Sequence, residues 1–197
     1  MREVELKSVV DDVRARRAKV EAAGGKLVYV GRLLDLRYDL SDHSMAMRDH
    51  VLRLRVYHGG ESRSGHLDWK GETRYEAGFK VRDEISTSVG NPDALSEILE
   101  RAGFIVTIEI DREIAQYELA GAIVRFEEFP DMDPLIEVEG PPEAIEAAVG
   151  LIGLPRDGFT AERLTSFVAR FEARTGRPAS LSKAELRGDR AYRIEDA

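Results

Sequence analysis

Polar and apolar positions alternate along short stretches of the chain, and the first of them, Glu3-Val4-Glu5-Leu6-Lys7, sets the pattern. In an extended segment successive side chains point to opposite faces, so Glu3, Glu5 and Lys7 share one face while Val4 and Leu6 share the other. Residues 51–57 repeat the arrangement, with Arg53 and Arg55 set against Leu52, Leu54 and Val56. His66, Asp68 and Lys70 stand opposite Leu67 and Trp69, and Lys80, Arg82 and Glu84 stand opposite Phe79, Val81 and Ile85. Arg125 and Glu127 share a face of a strand predicted over 123–129, as do Glu137 and Glu139 over 135–139. Further strands are predicted over 26–30, 33–40 and 104–117, the last as a strand pair or one long bent strand that includes Arg112. The polar, glycine-rich residues 58–65 read as a hairpin loop, and residues 41–50, which have no clear period, as a mobile loop.

Helical signals interrupt this pattern in four places. Asp11 or Asp12 caps a helix that reaches Gly24-Gly25, with Val13, Val20 and Ala23 as its apolar stripe. Asn91-Pro92-Asp93 opens a second helix through Arg101 that buries Leu95, Ile98 and Leu99. Pro141-Pro142 starts a third, ending near Leu151, and a fourth fits 160–174 around Leu164, Phe167, Val168 and Phe171. The strands and helices together give an α+β class.

Of the 197 residues 43% are hydrophobic and 34% charged, and the net charge is −8. That balance argues against binding that depends on neutralising a nucleic-acid backbone, though not against a local basic cavity. There is no cysteine, hence no disulfide, no thiol nucleophile and no thiolate-bound zinc. No apolar run approaches membrane-spanning length, so a cytoplasmic location without a membrane or nucleic-acid partner is expected, with a homodimer allowed for. His43, His50, His58 and His66 have no metal-ligand spacing and read as surface residues.

What the charged strand faces do depends on whether the sheet closes. In an open sheet they are solvated and worth little as ion pairs. In a closed one they line a polar lumen and need partners. Cations there suit a polyanion, because arginine forks onto phosphate oxygens. Clustered carboxylates suit a hard cation such as Mg²⁺ or Mn²⁺.

The ordered motifs Glu3-x-Glu5-x-Lys7, Leu52-Arg53-Leu54-Arg55, Trp69-Lys70-Gly71, Lys80-Val81-Arg82-Asp83-Glu84 and Ile136-Glu137-Val138-Glu139-Gly140 resemble the signature of the CYTH superfamily, the triphosphate tunnel metalloenzymes. The resemblance covers about residues 1–170. It implies a closed eight-stranded antiparallel β-barrel with flanking helices, organised as a domain over 1–175 and a charged tail over 176–197. It also implies Glu3, Glu5, Glu137 and Glu139 as ligands of Mg²⁺ or Mn²⁺, and Lys7, Arg53, Arg55, Lys70, Lys80, Arg82 and Arg112 as contacts of a triphosphate. Glu84 would position the bases or join the metal site. Lys7 and Glu127 are the candidate catalytic residues, Lys7 as a proton acceptor should neighbouring cations lower its pKa. Three positions depart from the family pattern: Ile110 stands where a base is expected, Glu127 where an aspartate is common, and Asp133-Pro134-Leu135 replaces a Gly-x-Phe. The implied activity is that of a divalent-metal-dependent enzyme acting on an inorganic, thiamine or nucleoside triphosphate; the shared tunnel does not choose the reaction, and hydrolysis is the preferred reading because no nucleobase pocket can be read from these residues. A class IV adenylate cyclase is the first alternative, and a non-catalytic binder of polyphosphate or nucleotides the second.

Overall fold

The apolar halves of the alternating strands bury against helices, and the polar halves turn inward. In a computed structural model, described for residues 2–59 and 62–189, the strands are β1 (Arg2–Val9), β2 (Lys26–Leu40), β3 (Val51–Gly59), β4 (Ser62–Lys70), β5 (Arg74–Glu76), β6 (Phe79–Val89), β7 (Phe104–Leu119), β8 (Ala122–Glu128) and β9 (Leu135–Glu139). The helices are α1 (Val13–Ala22), α2 (Pro92–Arg101), α3 (Pro142–Ile152), α4 (Leu164–Thr175) and the single turn α5 (Lys183–Leu186). Pairing runs β1-β9-β8-β7-β2-β3-β4-β6 and returns from β6 to β1, antiparallel throughout. The eight-stranded barrel is therefore closed, as expected, and β5 is an extra short strand on β6.

The hydrophobic core lies outside the barrel. Val4 and Leu6 of β1, Val124 and Phe126 of β8 and Ile136 and Val138 of β9 pack with Val20 of α1 and Ile145, Val149 and Ile152 of α3. Tyr38, Leu54 and Val56 pack with Leu99 of α2. Phe167, Val168 and Phe171 of α4 cover Met132 and Leu135. Asp12 caps α1 through the Ala15 amide at 2.9 Å, and Asn91 caps α2 through that of Ala94 at 3.1 Å, as their sequences predict.

Several boundaries differ from the sequence expectation. Residues 26–30 and 33–40 form one strand, carried through by Gly31 at φ +151°, where a Cβ would strike the carbonyl of His58 and come within 2.8 Å of the Tyr29 hydroxyl. The long strand over 104–117 is continuous and pairs with β2 along almost its whole length. The hairpin strands β3 and β4 extend into the expected loop, whose tip at 60–61 lies outside the described residues. Residues 41–50 are not a free loop: Asp39 accepts from the Met45 and Ala46 amides at 3.0 and 2.9 Å and pins a 3₁₀ turn over Ala46–Arg48. The histidines are half-buried, with His58 and His66 on strands, His66 edge-on to Tyr57 and His50 edge-on to Trp69. The last long helix begins at Leu164 rather than Thr160. In the segment read as a tail, Ser180 bridges to Asp131 and the Leu181 carbonyl accepts from the Asp111 amide at 2.8 Å; residues 190–197 lie outside the described residues. No helix among the described residues is long and apolar enough to cross a membrane.

Candidate active site in the barrel lumen

Closure gathers the polar strand faces around a cavity of about 830 Å³. Of the expected site residues, Glu3, Glu5, Lys7, Arg53, Arg55, Lys70, Lys80, Arg82, Arg112, Glu127 and Glu137 line it, and Glu84 and Glu139 lie next to the lining residue Glu3. Asp35, Arg37, Asp49, Arg125 and Arg163 line it too. The cations and carboxylates that line the cavity balance one another, so the chain's net charge of −8 is carried by residues that do not line it.

Most of these charges hold one another. Lys7 lies between Glu5 at 2.7 Å and Glu137 at 2.6 Å. Lys80 reaches the same Glu5 at 2.6 Å, and Arg125 reaches Glu137 at 2.6 Å. Arg55 forks onto Asp35 at 2.8 and 3.0 Å, and Arg112 spans Asp35 at 3.2 Å and Glu127 at 2.7 Å. Arg53 binds Asp68 at 2.8 Å and lies 3.6 Å from Glu84. Lys70 donates to Glu3. At one mouth Arg82 donates to the carbonyls of Gly71, at 2.7 Å, and Asp49, whose carboxylate holds Arg163 at 2.7 Å.

The carboxylates divide into two sets. Glu5 and Glu137 are held by Lys7, Lys80 and Arg125, whereas Glu3, which Lys70 also holds, gathers with Glu84 and Glu139, each offering an oxygen within 4.8 Å of the other two. Three oxygen donors at that spacing fit a hard divalent cation. The structure thus draws Glu84 into the candidate metal cluster and gives Glu5 and Glu137 the neighbouring cations as partners. Glu127, two residues beyond Arg125 on β8, holds Arg112.

Protonation follows the same division. Burial works against charge on Glu5 and Asp35, but Lys7 and Lys80 on one side and Arg55 and Arg112 on the other outweigh it and hold both carboxyls well below their usual range. Glu137 lies at about 2 for the same reason, with Lys7 the principal cation. Burial also opposes charge on Lys7, yet Glu137 and Glu5 hold its pKa above the ordinary lysine value. The nearest charged neighbours of Lys7 are carboxylates, not the cations that a lowered pKa would need, so its surroundings favour the charged form.

Glu139 goes the other way. Burial pushes it up from 4.5 to about 7, with Arg125 opposing and Glu137, Glu3 and Glu5 adding to the rise. A carboxyl raised on folding favours the folded state while protonated, and that contribution is lost as pH rises through the folded pKa. Metal-free protein should therefore lose thermal stability between about pH 4.5 and 7 through this group, and Glu139→Gln should flatten that part of the profile. An unchanged pH slope in the variant would remove Glu139 as its source.

Sequence reasoning overlooked Asp35, Arg37, Asp49, Asp68, Arg125 and Arg163 as site residues. Asp68 and Arg125 sit on strand faces already read as polar. Asp35, Arg37 and Asp39 alternate with Leu34, Leu36 and Tyr38, a period of two that would have placed them inside. Asp49 and Arg163 come from turns and carry no such signal. The departing Asp133-Pro134-Leu135 has a local explanation: Arg174 of α4 binds Asp133 at 2.6 Å, and Leu135 packs under Phe167 and Phe171.

The CYTH domain family model matches residues 1–149. The chain belongs to the CYTH family. Among solved CYTH-type folds, a candidate adenylate cyclase from Vibrio parahaemolyticus is 16% identical, with a TM-score of 0.72 over 85% of this chain and 97% of that one. The PH1819 protein from Pyrococcus horikoshii is 21% identical, with a TM-score of 0.69 over 89% and 99%. A candidate adenylyl cyclase from Hippeastrum, described as having a dominant triphosphatase activity, is 17% identical, with a TM-score of 0.55 over 98% and 99%. At these identities the likeness is one of fold. No curated protein sequence matches the chain.

Proposed function

We propose that this CYTH protein is a divalent-cation-dependent hydrolase of a triphosphate bound in the lumen. The observation that carries this reading is the cavity of about 830 Å³ within the closed barrel, in which a ring of lysines and arginines meets the Glu3–Glu84–Glu139 cluster at Glu3. Glu3, Glu84 and Glu139 would hold the cation, which when bound neutralises phosphate charge and polarises a phosphate oxygen. Arg53, Arg55, Lys70, Lys80, Arg82 and Arg112 bind and orient the chain of phosphates. They also stabilise the charge that develops as water attacks the terminal phosphorus and the bond to the bridging oxygen breaks, giving orthophosphate and a diphosphate product. Lys7, fixed as a cation by Glu5 and Glu137, contributes charge and no proton transfer. The enclosing strands limit access of bulk water, which strengthens each of these interactions.

One observation favours a second reading, cyclisation of a nucleoside triphosphate. Part of the cavity wall is apolar, formed by Ile108, Ile110, Phe129, Leu164, Val168 and Leu181, and would accommodate a base or another organic group. The names of the Vibrio and Hippeastrum structures are consistent with it. The test is a panel of tripolyphosphate, thiamine triphosphate and ATP with Mg²⁺ or Mn²⁺, scored for orthophosphate, pyrophosphate and cyclic nucleotide. Orthophosphate release supports the hydrolase, and cyclic nucleotide with pyrophosphate supports the cyclase. Binding of all three without turnover overturns both in favour of a non-catalytic binder.

A further inference from the structure

One stretch of the lumen wall is not made by a strand of the barrel. Among the described residues β8 pairs with β7 only from Glu113 to Leu119, so residues 104–112 of β7 have no strand beside them on that edge. The C-terminal segment 179–181 lies there instead. The carbonyl of Leu181 accepts from the Asp111 amide at 2.8 Å. The amide and carbonyl of Ser180 exchange hydrogen bonds with Asp131, just beyond the end of β8, at 2.9 and 3.2 Å. The amides of Ala179 and Leu181 donate to the carboxylates of Glu172 at 2.9 Å and Glu185 at 2.7 Å. Every amide of the segment is therefore satisfied, and it sits as a stave between β7 and the β8–β9 turn.

The stave presents apolar groups to the cavity. Ala179 and Leu181 line it together with Phe129 and with Ile110, the chain neighbour of Asp111. Leu181 and Phe129 pack on one cluster, which includes Val168 of α4. On β2, the next strand, the positions paired with this wall are charged: Asp35 pairs with Ile110 and Arg37 with Ile108. The guanidinium of Arg112 lies 5.9 Å from the Phe129 ring centre, so the apolar wall adjoins the bases of the lumen. An inorganic polyanion gains nothing from an apolar wall, because apolar surface is stabilised only when other apolar surface covers it. We infer that the C-terminal segment, through Leu181, forms with Ile110 and Phe129 a subsite for the organic group of a triphosphate ester, and so sets the preference of the lumen for organic over inorganic triphosphate. Phe129 supplies a ring, and a flat aromatic group is the occupant that fits it. The subsite presupposes the reading of the lumen as a triphosphate site and names the class of triphosphate. Its wall lies outside residues 1–149, the part of the chain that the family model matches.

The test compares the full-length wild type with Leu181→Gln, which keeps the size of the side chain and makes it polar, and with Leu181→Ala, which withdraws it. Binding of ATP, thiamine triphosphate and tripolyphosphate is measured by calorimetry with divalent cations chelated, and kcat/KM with Mn²⁺ alongside. Melting temperatures without ligand report on the fold. The readout is the ratio of organic to inorganic preference, taken for whichever ester the wild type binds more tightly. Leu181→Gln should lower that ratio by about tenfold, the effect of losing much of a buried leucine's apolar contact. Leu181→Ala should lower it in the same direction. An unchanged ratio in both variants would overturn the subsite. Equal losses for ester and tripolyphosphate, with a lower melting temperature, would make Leu181 a structural support of the barrel and overturn it too. If the wild type neither binds nor turns over any of the three, the triphosphate reading falls and takes the subsite with it; if it accepts tripolyphosphate and neither ester, only the subsite falls.

Discussion

Asp35→Asn is expected to lower the unfolding free energy of the ligand-free protein by about 3–5 kcal/mol, the range for removing one partner from a buried ionic cluster. Asp35 is 1% exposed and answers three arginines: Arg55 through a fork, Arg112 at 3.2 Å and Arg53 at 3.7 Å. Asparagine keeps the shape and removes the charge that lets those guanidiniums lie so close together. The carboxyl is depressed on folding, so its contribution is present at neutral pH and is lost as pH falls through the folded value. The variant should therefore show a weaker acid dependence as well as a lower midpoint. Urea unfolding followed through the single tryptophan, Trp69, reads both. Tripolyphosphate should recover part of the loss by supplying counter-charge from outside the chain. A variant within about 0.5 kcal/mol of wild type, the range of an inconsequential surface change, would mean that Asp35 is not what holds these arginines.

Glu3→Gln/Glu139→Gln should cut cation-dependent turnover by at least about 100-fold, since loss of residues that merely support metal ligands already costs 10–100-fold. It should also abolish any rise in melting temperature on adding Mg²⁺ or Mn²⁺. The fold should survive, because Glu84 remains 3.6 Å from Lys70 and burial already favours the neutral form of Glu139. Glu5→Gln or Glu137→Gln should behave differently. These remove counter-charge from Lys7 and Lys80, or from Lys7 and Arg125, and should weaken the fold as well as turnover. Equal loss of cation response in the double variant and in both single variants, with stability untouched, would erase the division of the carboxylates into two sets. Phosphate-release kinetics alongside thermal melts distinguish the outcomes.

The alternation of Glu3, Glu5 and Lys7 with Val4 and Leu6, repeated in later strands, carries the barrel's most unusual property: an apolar outside covered by helices and a charged inside. Local pattern is enough for that, because the pleat alone fixes which residues share a face. It does not say which carboxylate answers which base. Glu3 and Glu139 meet Glu84 only because β1 closes on both β6 and β9, a long-range pairing with no signal within any one strand. Asp35 and Arg37 were legible in principle, but reading Leu33–Leu40 as a strand running into a polar connection hides their alternation. Asp49 and Arg163 were not legible, because they meet through tertiary folding of two turns.

The most direct measurement is a crystal structure of the wild-type protein with Mn²⁺ and tripolyphosphate, with manganese located by its anomalous scattering. The expected result is a manganese peak between the carboxylates of Glu3, Glu84 and Glu139, with the phosphates lying inside the barrel against its arginines. A lumen without either, while anion or manganese sits on the outer surface, would contradict the assignment of these buried charges to a ligand.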